Sequence, residues 1–465
     1  MKRTLSEAAR VAGGELIGED RPYGCVCTDS RTLKPGALFV ALRGPNFDGA
    51  AFVQAAAAQG AIGALVERAM PGALPQVVVP NTLVALQELA KNWRAGFTLP
   101  VVAVAGSNGK TTAKEMTAAI LSRMGLCMAT HGNLNNHIGV PVTLMRLEPS
   151  HRSAVIEMGA NAIGDVAALM RIAQPTVGLI TNAGAEHLEG FGDLDGVAKG
   201  EGETVSCLGA EGTAIINADD AYAGYWRGVS GAKRIVTFGV HHTADFTAKN
   251  IFQGIERGEF ATRFTLICPL GERAIMLKAG GAHNIGNALA AAAAASAAGA
   301  SLEDIALGLA DFRAVAGRLQ LKAGTRGGWI IDDSYNANPS SVRAALEVLR
   351  SLTGPTWLVL GDMAELGEVS HDSHAHIGSY AHDCGIKRLF AMGPLSSRAV
   401  ETFGPGGEWF ADADSLTRRL QSELSPGVTV LIKGSRINRL ERVVQALTGG
   451  GAGPSAGPSP MMRAS

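Results

Sequence analysis

The stretch Val101–Lys114, VVAVAGSNGKTTAK, constrains this chain most. A short apolar run, Val101 to Ala105, meets a glycine turn, then lysine and two threonines, then residues able to open a helix. This is the sequence of a buried strand, a phosphate-cradling loop and a helix N-terminus. Glycines let backbone N–H groups curl around phosphate oxygens, and the helix start adds partial positive charge. On this reading Gly106, Ser107, Asn108, Gly109, Lys110, Thr111 and Thr112 form a nucleotide loop, with Lys110 reaching the β- and γ-phosphates and the Thr111 hydroxyl holding Mg²⁺. The pattern departs from Gly-x4-Gly-Lys-Thr: position 104 is Val, and the glycine stands at Gly106 instead. A strand–loop–helix of this kind belongs to α/β folds with parallel sheets covered on both faces.

The rest of the chain fits that class. At 465 residues it has room for several domains, and 46% hydrophobic residues supply their cores. A net charge near −1 offers no basic surface for nucleic acid and no charged tail for a membrane. The first residues lack the apolar core of a signal peptide, and the alanine-rich run Ala288–Ala300 is too short and too weakly apolar to span a bilayer. The six cysteines are scattered without a CxxC pair, as expected of reduced thiols in a cytoplasmic protein.

Three regions separate. Residues 1–98 hold short strands and helices, including LFVAL, GALV and VVVP, with helices over Ala50–Gln59 and Thr82–Phe97. Residues 99–317 alternate apolar strands (VVAVAG, SAVIEMG, TVGLITNAG, GTAIINAD, RIVTFG) with helices such as Ala113–Met124 and Gly164–Ile172. A more polar β stretch and an alanine helix follow. Residues 318–449 repeat the alternation with WIIDDSYN, TWLVLGD, RLFAMG and VTVLIKGSR, the pattern of a second, Rossmann-like sheet. The last residues, 450–465, are rich in Gly, Pro and Ser and are expected to be a disordered tail.

In such sheets ligands collect beyond the carboxyl ends of strands. SAVIEMG places Glu157 there, and TVGLITNAGAEHLEGFG places Asn182 and His187. Mg²⁺ prefers oxygen, so His187 is an unusual ligand on chemistry alone. His371, His374 and His376 would not share one helix face well, and no cysteine or acidic set frames them.

Taken together, these motifs resemble the Mur ligase family. The resemblance runs over about residues 25–445: TDSRTLKPGALFVAL, AGSNGKTTAKEM, GNLNNHIGVPVTL, VIEMGAN, AEHLEGFGDLDGVAK, GAHNIGNALAA, GRLQ, DDSYNANPSSV, LGDMAELGEVS and KGSR. HLEGFG, DSYNANP and GDMAELG resemble the member that adds D-alanyl-D-alanine. The resemblance implies three α/β domains. The first would bind the UDP end of UDP-MurNAc-tripeptide, through Ser30, Arg31 and Asp48. The second would bind ATP and Mg²⁺, and the third D-alanyl-D-alanine. ATP would convert the peptide carboxylate to an acyl phosphate, which the dipeptide amine would attack. The family's roles, carried over, give Lys110 and Arg318 as cations at the phosphoryl group and Thr111, Glu157 and His187 as metal-site residues. Asn287 and Asn336 would meet the adenine and Asp333 the ribose. Asp362, Glu365, His374, Lys433 and Arg436 would lie on the acceptor side.

One position departs from the family pattern. Many members carry a carbamylated lysine fourteen residues after the metal histidine, and from His187 that count reaches Glu201, with Lys199 two residues earlier. The expectation is that Glu201 supplies directly the carboxylate that carbamylation would make, as a ligand or orienter of Mg²⁺; a register slip to Lys199 is the alternative. The resemblance implies small-molecule substrates, no nucleic acid partner, no membrane insertion and a monomer. Competing readings are a diaminopimelate- or lysine-adding Mur enzyme, folylpolyglutamate synthase, or a P-loop transport or switch ATPase.

Overall fold

The computed structural model describes residues 3–44, 47–72 and 74–449; the expected tail, 450–465, lies outside them. Three α/β sheets follow one another along the chain. The first has five strands in the order Glu15–Ile17, Gln76–Val78, Gly63–Val66, Ala37–Val40 and Cys25–Cys27, parallel except for the antiparallel first strand. The second is wholly parallel, in the order Arg234–Phe238, Thr213–Asn217, Val177–Ile180, Val101–Ala105, Ser153–Glu157 and Cys127–Ala129. The third runs Gln320–Ala323, Trp329–Asp333, Thr429–Lys433, Thr356–Gly361, Arg388–Met392 and Gly407–Phe410, parallel but for its antiparallel first strand.

Burial explains these pairings. Every residue of Val101–Ala105 and Ser153–Glu157 is buried, as a strand with helices on both faces must be. Helix Lys110–Leu121 leaves the phosphate loop and packs against the alanine helix Ala282–Ala297, whose small side chains pack in one apolar cluster with Met116 and Ile120. The loop helix therefore starts three residues before the expected Ala113, because Gly109 in a left-handed conformation lets the turn close at Lys110. The polar β stretch folds as an antiparallel three-stranded sheet, Thr247–Glu256, Glu259–Cys268 and Gly271–Leu277. The helix read over Ala50–Gln59 divides into a 3₁₀ turn, Gly49–Phe52, and a short α-helix, Val53–Ala58.

The first sheet is tied to the second by arginines. Arg3 stacks 3.6 Å over Trp93 and donates to the Met145 carbonyl at 2.8 Å, while Trp93 Nε1–H donates to Leu147 O at 3.0 Å. Arg94 donates to the carbonyls of Ala173 and Gln174, each at 3.0 Å. Cationic donors meeting backbone carbonyls in a half-buried seam make a firm junction. Among the described residues no helix is long and apolar enough to cross a membrane.

Candidate active site

The phosphate loop begins at the carboxyl end of Val101–Ala105. Gly106 adopts φ +118°, and a Cβ there would stand 2.2 Å from Thr181 Oγ1; at Gly109, φ +84°, it would stand 2.3 Å from Asn287 Oδ1. Both positions therefore demand glycine, through backbone conformation and through neighbours that leave no room. The loop is anchored further along by Asn182, whose Oδ1 accepts from Asn108 N–H at 3.0 Å and whose Nδ2 donates to Asn108 O at 2.8 Å.

Two cavities flank this loop. One, of about 440 Å³, is lined by Asn108, Gly109, Thr112, His283, Asn287, Arg318, Asp333 and Lys433, among others. The other, of about 310 Å³, is lined by Ser107, Lys110, Thr111, Glu157, Glu186, His187, Arg318 and Asn336, with Asn135 and Asn136 beside them. Each takes residues from both the second and the third sheet. Arg318 borders both and also a third cavity, of about 890 Å³, shared with Tyr335 and Arg436. Its guanidinium lies 4.2 Å over the Tyr335 ring and reaches within 3.4 Å of Thr111 Oγ1. Its Nε is buried without a hydrogen-bond partner.

Lys110 Nζ donates to Glu186 Oε1 and to Ser107 O, both at 3.1 Å. Burial works against its charge, but Glu186, Glu201 and Glu157 outweigh that and raise its pKa. Glu186 is a residue the sequence reading passed over. Its signal was its position beside His187 at a strand end, where a second acidic group can face the loop lysine.

Glu201 is 2% exposed, and its Oε2 accepts the Gly106 N–H at 2.6 Å. Burial is the main cause that pushes its pKa up to about 7; Glu186 adds to the rise, while Lys110 and the Gly106 N–H oppose it. It does not line the cavity that gathers Thr111, Glu157 and His187. Its carboxylate meets the loop backbone instead, which corrects the expectation of a direct metal ligand and leaves that of an orienter. Lys199 lies on the same helix, Leu194–Ser206, but is exposed, so the register that would bury Lys199 is not adopted.

Glu157 Oε1 accepts from Asn135 Nδ2 at 2.8 Å, whereas its buried Oε2 has no partner. An orphaned, buried carboxylate oxygen beside Thr111 and His187 is a fitting place for a hard cation. Among the described residues no three acidic, histidine or cysteine side chains converge on one point.

The third domain rearranges the acceptor expectations. Glu365 reaches His187 Nδ1 at 2.5 Å, joining two residues expected in different roles, and both hold positive φ. Lys433 Nζ pairs with Asp333 Oδ2 at 2.7 Å and donates to Asn336 O at 2.9 Å, and it lines both loop cavities. Asn336 lines the other cavity, not the one holding Asn287. His374 is fully buried: Nε2 accepts the Met363 N–H at 2.9 Å and Nδ1 bonds Ser370 O at 2.7 Å, so both ring nitrogens serve the fold. Asp362 is likewise occupied, accepting from Ser396 N–H at 2.7 Å. Arg436 is exposed, 5.7 Å from the Tyr335 ring.

In the first domain, Ser30 and Arg31 follow strand Cys25–Cys27, and Arg31 folds back onto Asp29 at 2.7 Å. Asp48 caps the Gly49–Phe52 turn, accepting from Ala50 N–H at 2.9 Å.

Comparison with known proteins agrees with this architecture. The Mur ligase family catalytic domain matches residues 22–94, the Mur ligase middle domain 104–295, and the Mur ligase glutamate ligase domain 317–436. The UDP-N-acetylmuramoyl-tripeptide–D-alanyl-D-alanine ligase of Escherichia coli K12 is 45% identical over 96% of this chain and 98% of its own. The crystal structure of MurF from Acinetobacter baumannii superposes with a TM-score of 0.89 at 34% identity, covering 97% of this chain and 99% of that one. MurF of Thermotoga maritima, in complex with ADP, gives 0.82 at 26% identity, covering 91% and 97%. With all three domains matched in order and a near full-length relative at this identity, the chain belongs to the Mur ligase family.

Proposed function

We propose that this protein is an ATP-dependent amide ligase that joins D-alanyl-D-alanine to UDP-MurNAc-tripeptide, making the pentapeptide precursor of peptidoglycan. The observation that carries the reading is Arg318, which borders both loop cavities at once. A nucleotide in the first and a peptide carboxylate in the second would meet at that guanidinium.

The chemistry follows from charge. A carboxylate is a poor electrophile, so an oxygen of the peptide carboxylate attacks the γ-phosphorus, ADP leaves, and an acyl phosphate forms. The dipeptide amine then attacks the acyl carbon, phosphate departs with the bonding pair, and the amine sheds a proton as the amide forms. Anionic groups crowd together in the first step. Lys110 and Arg318 offset that charge from fixed positions, at no cost of reorganisation. Mg²⁺, when bound, adds cationic charge at the phosphate oxygens; Thr111, Glu157 and His187 are the residues that would hold it. Glu201 holds the Gly106 N–H and draws Lys110 to the loop. Asn287 and Asp333 would face the base and ribose, and Ser30, Arg31 and Asp48 the uridine end. Residues 1–98, 99–317 and 318–449 would serve as the UDP, ATP and acceptor domains. The enzyme would act as a monomer in the cytoplasm.

The test is phosphate release from ATP with UDP-MurNAc-tripeptide, with and without D-alanyl-D-alanine. Release requiring both, with the pentapeptide seen by mass, supports the reading. Turnover with a single amino acid instead would move the protein to a sister ligase.

A further inference from the structure

Besides the Arg318–Thr111 and His187–Glu365 contacts, the second and third domains meet at a side-chain ring on the tip of the phosphate loop. Asn108, at the tip of the phosphate loop, donates through Nδ2 to Ser340 Oγ at 3.0 Å. Asn338 Nδ2 donates to Asn108 Oδ1 at 2.9 Å, and Ser340 Oγ donates to Asn338 Oδ1 at 3.0 Å. The partners lie 230 and 232 residues from Asn108 along the chain. We propose that this ring is a clasp that holds the third domain closed on the nucleotide loop, making Asn338 and Ser340 positioning residues for phosphoryl transfer. The proposal rests on reading the two loop cavities as the nucleotide and acyl-phosphate sites.

Both halves of the clasp are stiff. On one side, Thr181 Oγ1 donates to Asn108 O at 2.7 Å and Asn182 bonds both the N–H and the C=O of Asn108, so the loop tip cannot swing to follow a departing domain. On the other, Asn338 is the N-cap of helix Pro339–Arg350. Its Oδ1 accepts from Ser341 N–H at 2.8 Å, and Ser341 Oγ accepts from Asn338 N–H at 3.0 Å. A third element closes in: a Cβ on Gly184 would stand 3.0 Å from Asn108 Nδ2 and 3.1 Å from Ser340 Oγ. When two rigid bodies touch through oriented polar groups, separation breaks the bonds together, so the contact favours closed over open.

Position gives the clasp its consequence. Asn108 lines both loop cavities, and each cavity also takes wall residues from the third domain. Opening at the clasp therefore dismantles both cavities and admits water to any acyl phosphate between them.

The test uses the full chain with Asn338→Ser/Ser340→Ala. Serine keeps an N-cap oxygen for Ser341 but is too short to reach Asn108. Losing two neutral hydrogen bonds shifts the open–closed equilibrium by roughly ten- to a hundredfold. The expected result is a fall in kcat for amide formation of about tenfold or more, more ATP hydrolysed per amide made, and an unchanged melting temperature. Small-angle X-ray scattering with a non-hydrolysable ATP analogue should show a larger radius of gyration than the wild type, and Ser340→Thr, which keeps the hydroxyl, should match the wild type in both readouts. Equal kcat and equal radius in the double variant would overturn the clasp. So would a double variant that melts well below the wild type while Ser340→Ala alone leaves kcat and radius unchanged. A wild-type protein that makes no amide yet contracts with the analogue, while the double variant does not, would overturn the functional reading and leave the clasp standing.

Discussion

The Glu201 carboxylate accepts the Gly106 N–H at 2.6 Å, across a separation of 95 residues along the chain. A carboxyl acceptor is thus buried against the first glycine of the phosphate loop, where it holds a backbone amide close to Lys110.

This burial has a pH signature. The folded protein holds the Glu201 proton up to about 7, against an ordinary value of 4.5, so the native state binds more protons than the unfolded state in between. The stability this group contributes is fully present below pH 4.5 and is lost as pH rises through about 7. Nucleotide-free wild type should lose melting temperature across that window more steeply than Glu201→Gln. Parallel melting curves for the two proteins would contradict the burial argument.

Activity gives an independent check on the same residue. Glu201→Ala should lose most turnover and regain part of it with formate or acetate, which can refill the carboxylate position. Lys199→Ala should keep wild-type rates, because Lys199 is exposed. A dead Lys199→Ala enzyme restored by formate or acetate would reverse the assignment.

Lys110→Ala should leave circular dichroism unchanged and reduce ligation by roughly 10²–10³-fold or more, since it removes a fixed cation from the phosphoryl site. Glu186→Gln should have a smaller effect, expressed as a changed KM for ATP, because Glu186 pairs with Lys110 at 3.1 Å. Wild-type kinetics in Lys110→Ala would remove the loop lysine from the mechanism.

Gly106→Ala forces a methyl to within 2.2 Å of Thr181 Oγ1 at a φ that alanine rarely adopts. Overpacking of this kind costs about 1–3 kcal/mol. A denaturant titration should show that loss, together with weakened ADP binding by calorimetry; an equally stable variant would mean the loop has room that the geometry denies.

His374 separates a structural residue from a ligand-binding one. His374→Ala leaves the Met363 N–H without its buried acceptor, a loss of about 1–3 kcal/mol. The KM for D-alanyl-D-alanine should not change. Burial lowers the pKa of His374 from 6.5, so its contribution is present above that value and fades as pH falls through the lowered one. A raised dipeptide KM at constant stability would return His374 to the acceptor site.

Much of this arrangement is written locally. The apolar run Val101–Ala105, the glycines after it and the Lys-Thr-Thr that follows specify strand, loop and helix from neighbouring residues alone, because strand burial, positive φ and helix initiation are short-range properties. The same holds for Glu157 at the end of its strand. The contacts of Glu201 with Gly106, of Glu186 with Lys110, and of Asn108 with Asn338 and Ser340 join residues 76 to 232 positions apart. No spacing rule reaches that far. Asp362, just past a strand end, and His374, on the helix that follows, show the converse: polar residues that look available in sequence are folded inward by the third domain to satisfy its own backbone. The sequence by itself determined the phosphate loop, the parallel sheets and the charged residues at their edges. Only the tertiary structure decided which of those charges face a cavity and which are spent holding the loop, because burial and pairing are set by elements that meet after the chain has folded.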